Sequence, residues 1–210
     1  MARTSGPETR DKLIRAAEEL FAAQGVDGAQ LRDITRLAGQ ANPSAVQYHF
    51  GSRAGLLDAV MAGRLARTEQ VLVALPPAAE DAGVRELITA LVTAEASELG
   101  TERGCRCLRV SAQLSHESGV RTRTPHPTLA GTAYWALIER LAGRLAADGL
   151  PEPLLLERLD LALTVVGAAL ADRARQYLDG TEPLTDEPLF LADLVETTTA
   201  LLRAAQPRSV

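Results

Sequence analysis

Glycine and proline cut this chain into segments that each repeat their apolar residues at helical spacing, and that punctuation limits the fold more than any other feature. The first segment, ETRDKLIRAAEELFAAQG, puts Leu13, Ile14, Ala17, Leu20 and Phe21 on one face and stops at Gly25, where a left-handed cap is cheap for glycine. LRDITRLAG follows, with Leu31, Ile34, Leu37 and Ala38 on one side and Gly39 at its end. Asn42-Pro43 opens a third helix over 43–50, because Asn accepts from free amides at an N-cap and Pro suits the first helical position. Gly51 ends it, and Ser52 caps a fourth helix that runs to Pro76-Pro77. Leu and Ala dominate and alternating runs are absent, so the spacing predicts an all-α fold.

Beyond the double proline the helical patterns lengthen to 83–100, 104–118, 126–148, 153–179 and 187–205, broken at Gly100, Thr124-Pro125, Gly149-Leu150-Pro151 and DGTEPLTDEP. The expected organisation is an N-terminal three-helix head over 8–68 and a larger helical body over 69–210. Charge divides the same way. Residues 1–67 carry nine Lys/Arg against seven Asp/Glu, while residues 68–210 carry thirteen against twenty. A mildly basic head therefore sits on an acidic body, and local rather than net charge decides whether nucleic acid is a partner. With two cysteines, no signal-like start and no apolar run of membrane-spanning length, the expected location is the cytoplasm, with no membrane partner.

The helices over 31–38 and 43–50, joined by a short glycine-containing turn, have the form of a helix-turn-helix. Val46 and Phe50, four residues apart, would face inward; Ser44, Gln47, Tyr48 and His49 would face out. Gln can pair bidentately with adenine, and Ser, Tyr and His can reach phosphates. Many helical hairpins share this pattern and touch nothing.

The segment TRDKLIRAAEELFAAQGVDGAQLRDITRLAGQANPSAVQYHFGSRAGLLDAV strongly resembles the N-terminal domain of the TetR family of transcriptional regulators. AAEELFAAQG, LRDITRLAG and YHFGSRAGLL fall in the family's order, although the turn QANPS is slightly longer than its commonest form. The resemblance implies a sequence-specific DNA-binding regulator, a repressor released from a palindromic operator by a small-molecule effector. It places Ser44, Gln47, Tyr48 and His49 on the recognition helix, Arg53 at a phosphate-contacting position and Arg32 at the DNA backbone. It also implies a homodimer through the last two helices. Leu155, Leu159, Ala162, Val166 and Ala169, with Leu191, Leu194, Val195 and Leu201, are stripes that could join two copies in a four-helix bundle.

Polar or aromatic residues within the apolar body helices, Arg109, Gln113, His116, Tyr134, Trp135 and Tyr177, are the effector-binding candidates. Cys105 and Cys107 point apart on a helix and lack the spacing of a metal site, so no metal or cofactor is expected. No Ser-His-Asp set, phosphate loop or metal-spaced His/Glu pattern suggests an enzyme.

Overall fold

The computed structural model describes residues 6–42, 44–76, 79, 81–114 and 118–206. Among these residues the chain forms α1 (Gly6–Gln24), α2 (Leu31–Leu37), α3 (Ala45–Phe50), α4 (Arg53–Ala74), α5 (Val84–Ala96), α6 (Glu102–Gln113), α7 (Ala133–Ala147), α8 (Glu152–Leu178) and α9 (Glu187–Leu202). The fold is all-α, as the sequence predicts.

The head forms where α1, α2, α3 and the start of α4 close over Leu13, Phe21, Ile34, Leu56 and Val60, all fully buried. Two capping signals act as read. Ser52 Oγ accepts from Gly55 N at 3.0 Å and starts α4, while Gly51 ends α3 in the left-handed region at φ 72°. The third start signal shapes a turn rather than the helix itself. Asn42 Oδ1 accepts from Ser44 N at 2.9 Å, and regular helix begins only at Ala45. Pro43 lies outside the described residues.

The body core joins α5, α6, α7, α8 and α9 around Leu87, Ile88, Leu91, Leu108, Leu141, Leu155, Leu159 and Leu170. Four expected body helices are shorter than their apolar patterns, α9 ending at Leu202 rather than 205. α5 tightens into a 3-10 turn over Ser97–Gly100. α6 stops at Gln113. α7 starts at Ala133, because His126 to Thr132 is turn, with Leu129 N donating to His126 O and Thr132 N to Leu129 O. Thr132 Oγ1 then accepts from Trp135 N, and the Glu69 carboxylate accepts from both Ala133 N and Tyr134 N at 2.8 and 2.7 Å. An acidic group on the free amides of a helix start satisfies orphan donors and complements the dipole.

The expected border at 68 falls inside α4, which runs unbroken from the head into the body. α6 binds the two parts as well: Val110 completes the head core, and Arg103 forks onto Glu18 of α1 with bonds of 2.8, 2.8 and 3.1 Å. Gln113 Oε1 accepts from Val26 N at 2.8 Å.

The expected interface stripe of α8 faces its own protomer. Leu155, Leu159, Ala162 and Val166 are at most 2% exposed, and Leu194 and Val195 of α9 are buried beside them. An apolar stripe long enough to bundle with a second copy is equally able to pack on α5, α6 and α7, and here it does.

Candidate functional site

Two features of the fold can meet a partner: the outer face of α3 and a cavity against α4. On α3, Val46 is buried and Phe50 packs on the head core under the Arg10 guanidinium, 5.0 Å from the ring centroid. That anchoring leaves Ser44 and Gln47 exposed, with Tyr48 83% exposed. An aromatic so open, held on a helix of a single turn and a half, gains nothing from burial and is available for contact. His49 is half-buried, its ring edge-on to Tyr48 at 4.9 Å. Arg32 extends into solvent on α2, as does Arg36, which pairs with Asp33 at 2.9 Å.

Arg53 does not project with them. Its Nη1 donates to Ala29 O at 2.6 Å, and its guanidinium lies 5.4 Å from the Phe21 ring centroid. It bolts the start of α4 to the chain ahead of α2. The resemblance implies a phosphate contact for this position; in the structure one guanidinium nitrogen is already engaged by the Ala29 carbonyl.

The cavity holds about 140 Å³ between α4, α5, α6, α7, α8 and the turns after Ser118. By the measure in which one water needs roughly 10–15 Å³, that is room for something on the order of ten waters. Its walls are apolar: Leu57, Met61 and Leu65 from α4, Leu114 after α6, Leu129 before α7, and Leu163 and Val166 from α8. Arg64 and Glu95 form a buried ion pair that lines it, and Tyr134, His126, Thr128, Ser111, Ser118 and Asp58 add polar groups. Burial works against the Arg64 cation, but Glu95, Tyr134 and Glu98 outweigh it and hold its pKa above the ordinary value. Burial pushes the Tyr134 phenol well up, with Glu95 acting in the same direction and Arg64 against it. Arg64 and Tyr134 therefore stay cationic and neutral respectively across the physiological range. A second pair, Arg67 forked onto the buried Glu98 at 2.8 and 2.6 Å, continues the ionic row along α4.

Of the effector candidates among the described residues, the cavity takes in Tyr134 alone. Trp135 is buried in the body core with Nε1 on Glu139 at 2.9 Å, and the Tyr177 hydroxyl donates to Glu187 at 2.9 Å. Gln113 ties head to body through Val26, and Arg109 is not among the lining residues. His116 lies outside the described residues. Sequence reasoning missed Arg64, Glu95 and His126. The first two carried a signal: each puts a charge where an apolar stripe demands Leu or Val, at 56-60-64 and at 88-91-92-95.

Cys105 and Cys107 are buried and unpaired to each other. Burial, with Glu18 behind it, pushes the Cys107 thiol up to about 11 despite the neighbouring Arg67. A thiol with its folded pKa above its unfolded one stabilises the fold fully below the unfolded value, about 8.5, and progressively less as pH rises toward 11. Native protein is accordingly expected to react with a thiol-specific disulfide reagent far more slowly at pH 8 than protein in denaturant. Equal rates in the two conditions would contradict this burial.

The head is a helix-turn-helix whose α3 keeps its outer face open, and it is carried on a helical body with a partly open cavity against α4. Residues 13–60 match the family described as bacterial regulatory proteins, tetR family. Over 57 residues the chain is 47% identical to the HTH-type transcriptional regulator SrpR of Pseudomonas putida, covering 27% of this chain and 26% of that one. It is likewise 47% identical over 57 residues to the uncharacterized HTH-type transcriptional regulator TtgW of Pseudomonas putida, covering 42% of that relative. The likeness thus spans well under half the length of these curated relatives. The whole fold is similar to a tetR family transcription regulator from Shewanella sp. PV-4, with TM-score 0.57, 20% identity, and coverage of 92% of this chain and 95% of that one. It is also similar to a TetR-family transcriptional regulator from Rhodococcus sp., with TM-score 0.56, 17% identity, and coverage of 91% and 99%. Residues 13–60 thus form an N-terminal domain of the TetR type, and the helical body shares the fold of TetR-family regulators.

Proposed function

We propose that the protein is a sequence-specific DNA-binding transcriptional regulator, a repressor that leaves a palindromic operator when a small-molecule effector fills the cavity. The observation that carries this reading is the outer face of α3, where Ser44, Gln47 and Tyr48 stand exposed above a helix pinned by Val46 and Phe50. Gln47 and Tyr48 read the major groove, Ser44 and His49 reach its edge, and Arg32 holds a phosphate. Arg53 positions the start of α4 from within, and its contribution to DNA binding is through that fixing. Reading a palindrome takes two heads about 34–36 Å apart, hence a homodimer. The faces of α8 and α9 left outward by the core, with Leu161 and Leu189 more than half exposed, supply its interface. Among the described residues no helix is long and apolar enough to cross a membrane, in keeping with a regulator that works on DNA in the cytoplasm.

Release follows if the effector favours a conformation in which the heads are wrongly spaced, since only differential affinity shifts the balance. α4 carries Leu57, Met61 and Arg64 at the cavity and is packed in the head core through Leu56 and Val60, so both sites act on one helix.

The test is selection of bound duplexes from a random DNA pool, followed by affinity measured across salt concentrations. Enrichment of a palindrome, with log affinity falling linearly with log salt, is the expected result. Recovery of no motif would overturn the reading. On the selected operator, Gln47→Ala is expected to cost about 1–3 kcal/mol and to relax base choice at one position of each half-site. A uniform loss with unchanged base preference would remove Gln47 from base reading.

A further inference from the structure

We infer that Arg10 is a further DNA contact: its guanidinium, held over the Phe50 ring at the end of α3, receives a backbone phosphate beside the groove that α3 enters. The inference rests on the DNA-binding reading above and adds a contact from α1 to a face otherwise built from α2 and α3.

Three observations carry it. The first is the charge left over in the head. Of the lysines and arginines between Gly6 and Val60, Lys12 pairs with Glu8 and Arg15 with Asp11, Arg32 and Arg36 share Asp33, and Arg53 donates to the Ala29 carbonyl. Among the described residues Arg10 alone of these cations has no hydrogen-bonding or ionic partner, and it is exposed. The residues one helical turn to either side, Gly6, Pro7, Leu13 and Ile14, carry no charge, so nothing along α1 draws it away. An unpaired surface cation is ordinary; one held in place beside a reading helix is not.

The second observation is that holding. Arg10 Cζ lies 5.0 Å from the Phe50 centroid, within the range at which a ring face attracts a guanidinium. Phe50 is itself fixed: it packs on the head core, and Gly55 of α4 runs so near its carbonyl that a Cβ there would stand 2.1 Å from the oxygen. Contact with a ring uses none of the five N–H donors of the guanidinium, which stay available to an anion. The third observation is position. Ring centroids lie 6.2 Å apart from Phe50 to His49 and 4.9 Å from His49 to Tyr48, so a row of rings joins Arg10 to the exposed Tyr48. Arg10 stands on another helix at the half-buried root of that row, so it does not follow Gln47 and Tyr48 to the base edges. It meets the strand that borders the groove, where a contact positions the head without reading sequence.

The experiment takes the unmodified full chain, Arg10→Met and Arg10→Lys through duplex selection and then through operator binding across salt concentrations. Arg10→Met keeps an apolar stem for Phe50 but no charge. Its log–log salt slope is expected to be shallower by about 1.8, roughly 0.9 for each copy in a homodimer, with the selected motif unchanged. Its affinity at about 0.1 M salt is expected to fall at least about tenfold. Arg10→Lys is expected to keep the slope of the unmodified chain. An Arg10 that only pinned Phe50 would behave otherwise: Arg10→Met would lower the thermal midpoint and weaken binding by the same factor at every salt, leaving the slope unchanged. That pattern, or a lysine variant with a slope as shallow as the methionine one, would overturn the inference. A changed base preference at one position would put Arg10 on a base and remove the phosphate contact. If Arg10→Met fails to fold, Arg10→Gln, polar but uncharged, takes its place with the same expected slope. An unmodified chain that selects no motif removes the DNA-binding reading itself, whereas one operator bound with equal slopes by every variant removes this inference alone.

Discussion

Replacing Arg64 with methionine is expected to destabilise the protein by about 3–5 kcal/mol, because it leaves the Glu95 carboxylate buried without its cation. Both side chains are almost wholly shielded, at 6% and 7% exposure, so water cannot take over the lost interaction. For a domain of this length that is a fall in thermal midpoint on the order of 10 °C. Urea unfolding followed by circular dichroism measures it directly. The double change Arg64→Met with Glu95→Leu is expected to recover most of the loss, since the penalty belongs to the stranded charge rather than to the missing pair. If the single variant loses less than about 1 kcal/mol, the two groups are not coupled as the geometry requires. If the double variant is as unstable as the single one, the cost lies in the shape of the cavity instead.

The second large effect belongs to the head. Phe21→Ala removes a fully buried ring at the meeting of α1, α2 and α4, a loss of about 3–5 kcal/mol for a phenylalanine truncated in a packed core. The ring also lies under the Arg53 guanidinium, so the change loosens the start of α4 as well. Because the body has its own core, the expected result is a head that opens at a temperature where the body remains folded. Amide exchange should rise across α1 to α3 while α5, α7 and α8 stay protected, and operator binding should be lost first. A single cooperative transition covering both parts would show instead that α6, whose Val110 and Arg103 reach into the head, welds the two into one unit.

How much of this was readable in the residues differs between the two parts, for a physical reason. The head is written in local chemistry. A glycine at φ 72°, a serine accepting from the amide three residues on, and apolar residues three and four apart each act within a few positions, and the structure shows all three where the sequence put them. The apolar stripe of α8 was as legible, but what it would pack against was not, because spacing states which face is buried and not whose neighbour buries it. The cavity was harder still. Its walls come from positions as far apart as Leu57 and Gly167, and only the packing of five helices brings them together. Choosing isolated polar residues in the body found Tyr134 but also Trp135 and Tyr177, whose polar atoms are satisfied by Glu139 and Glu187 in their own surroundings. Two opposite charges on separate apolar stripes, Arg64 and Glu95, were the better signal, since each is tolerable there only if the other arrives.

Trp135, packed in the body core, is the chain's single tryptophan. It is 8% exposed and belongs to a different core from the one that anchors α3, so intrinsic fluorescence excited at the indole band reports the body alone. Emission should stay blue-shifted through any event confined to the head, including DNA engagement and the opening of Phe21→Ala, and move red only when the body itself gives way. The protein thus carries a built-in optical label that separates its two halves without any added probe.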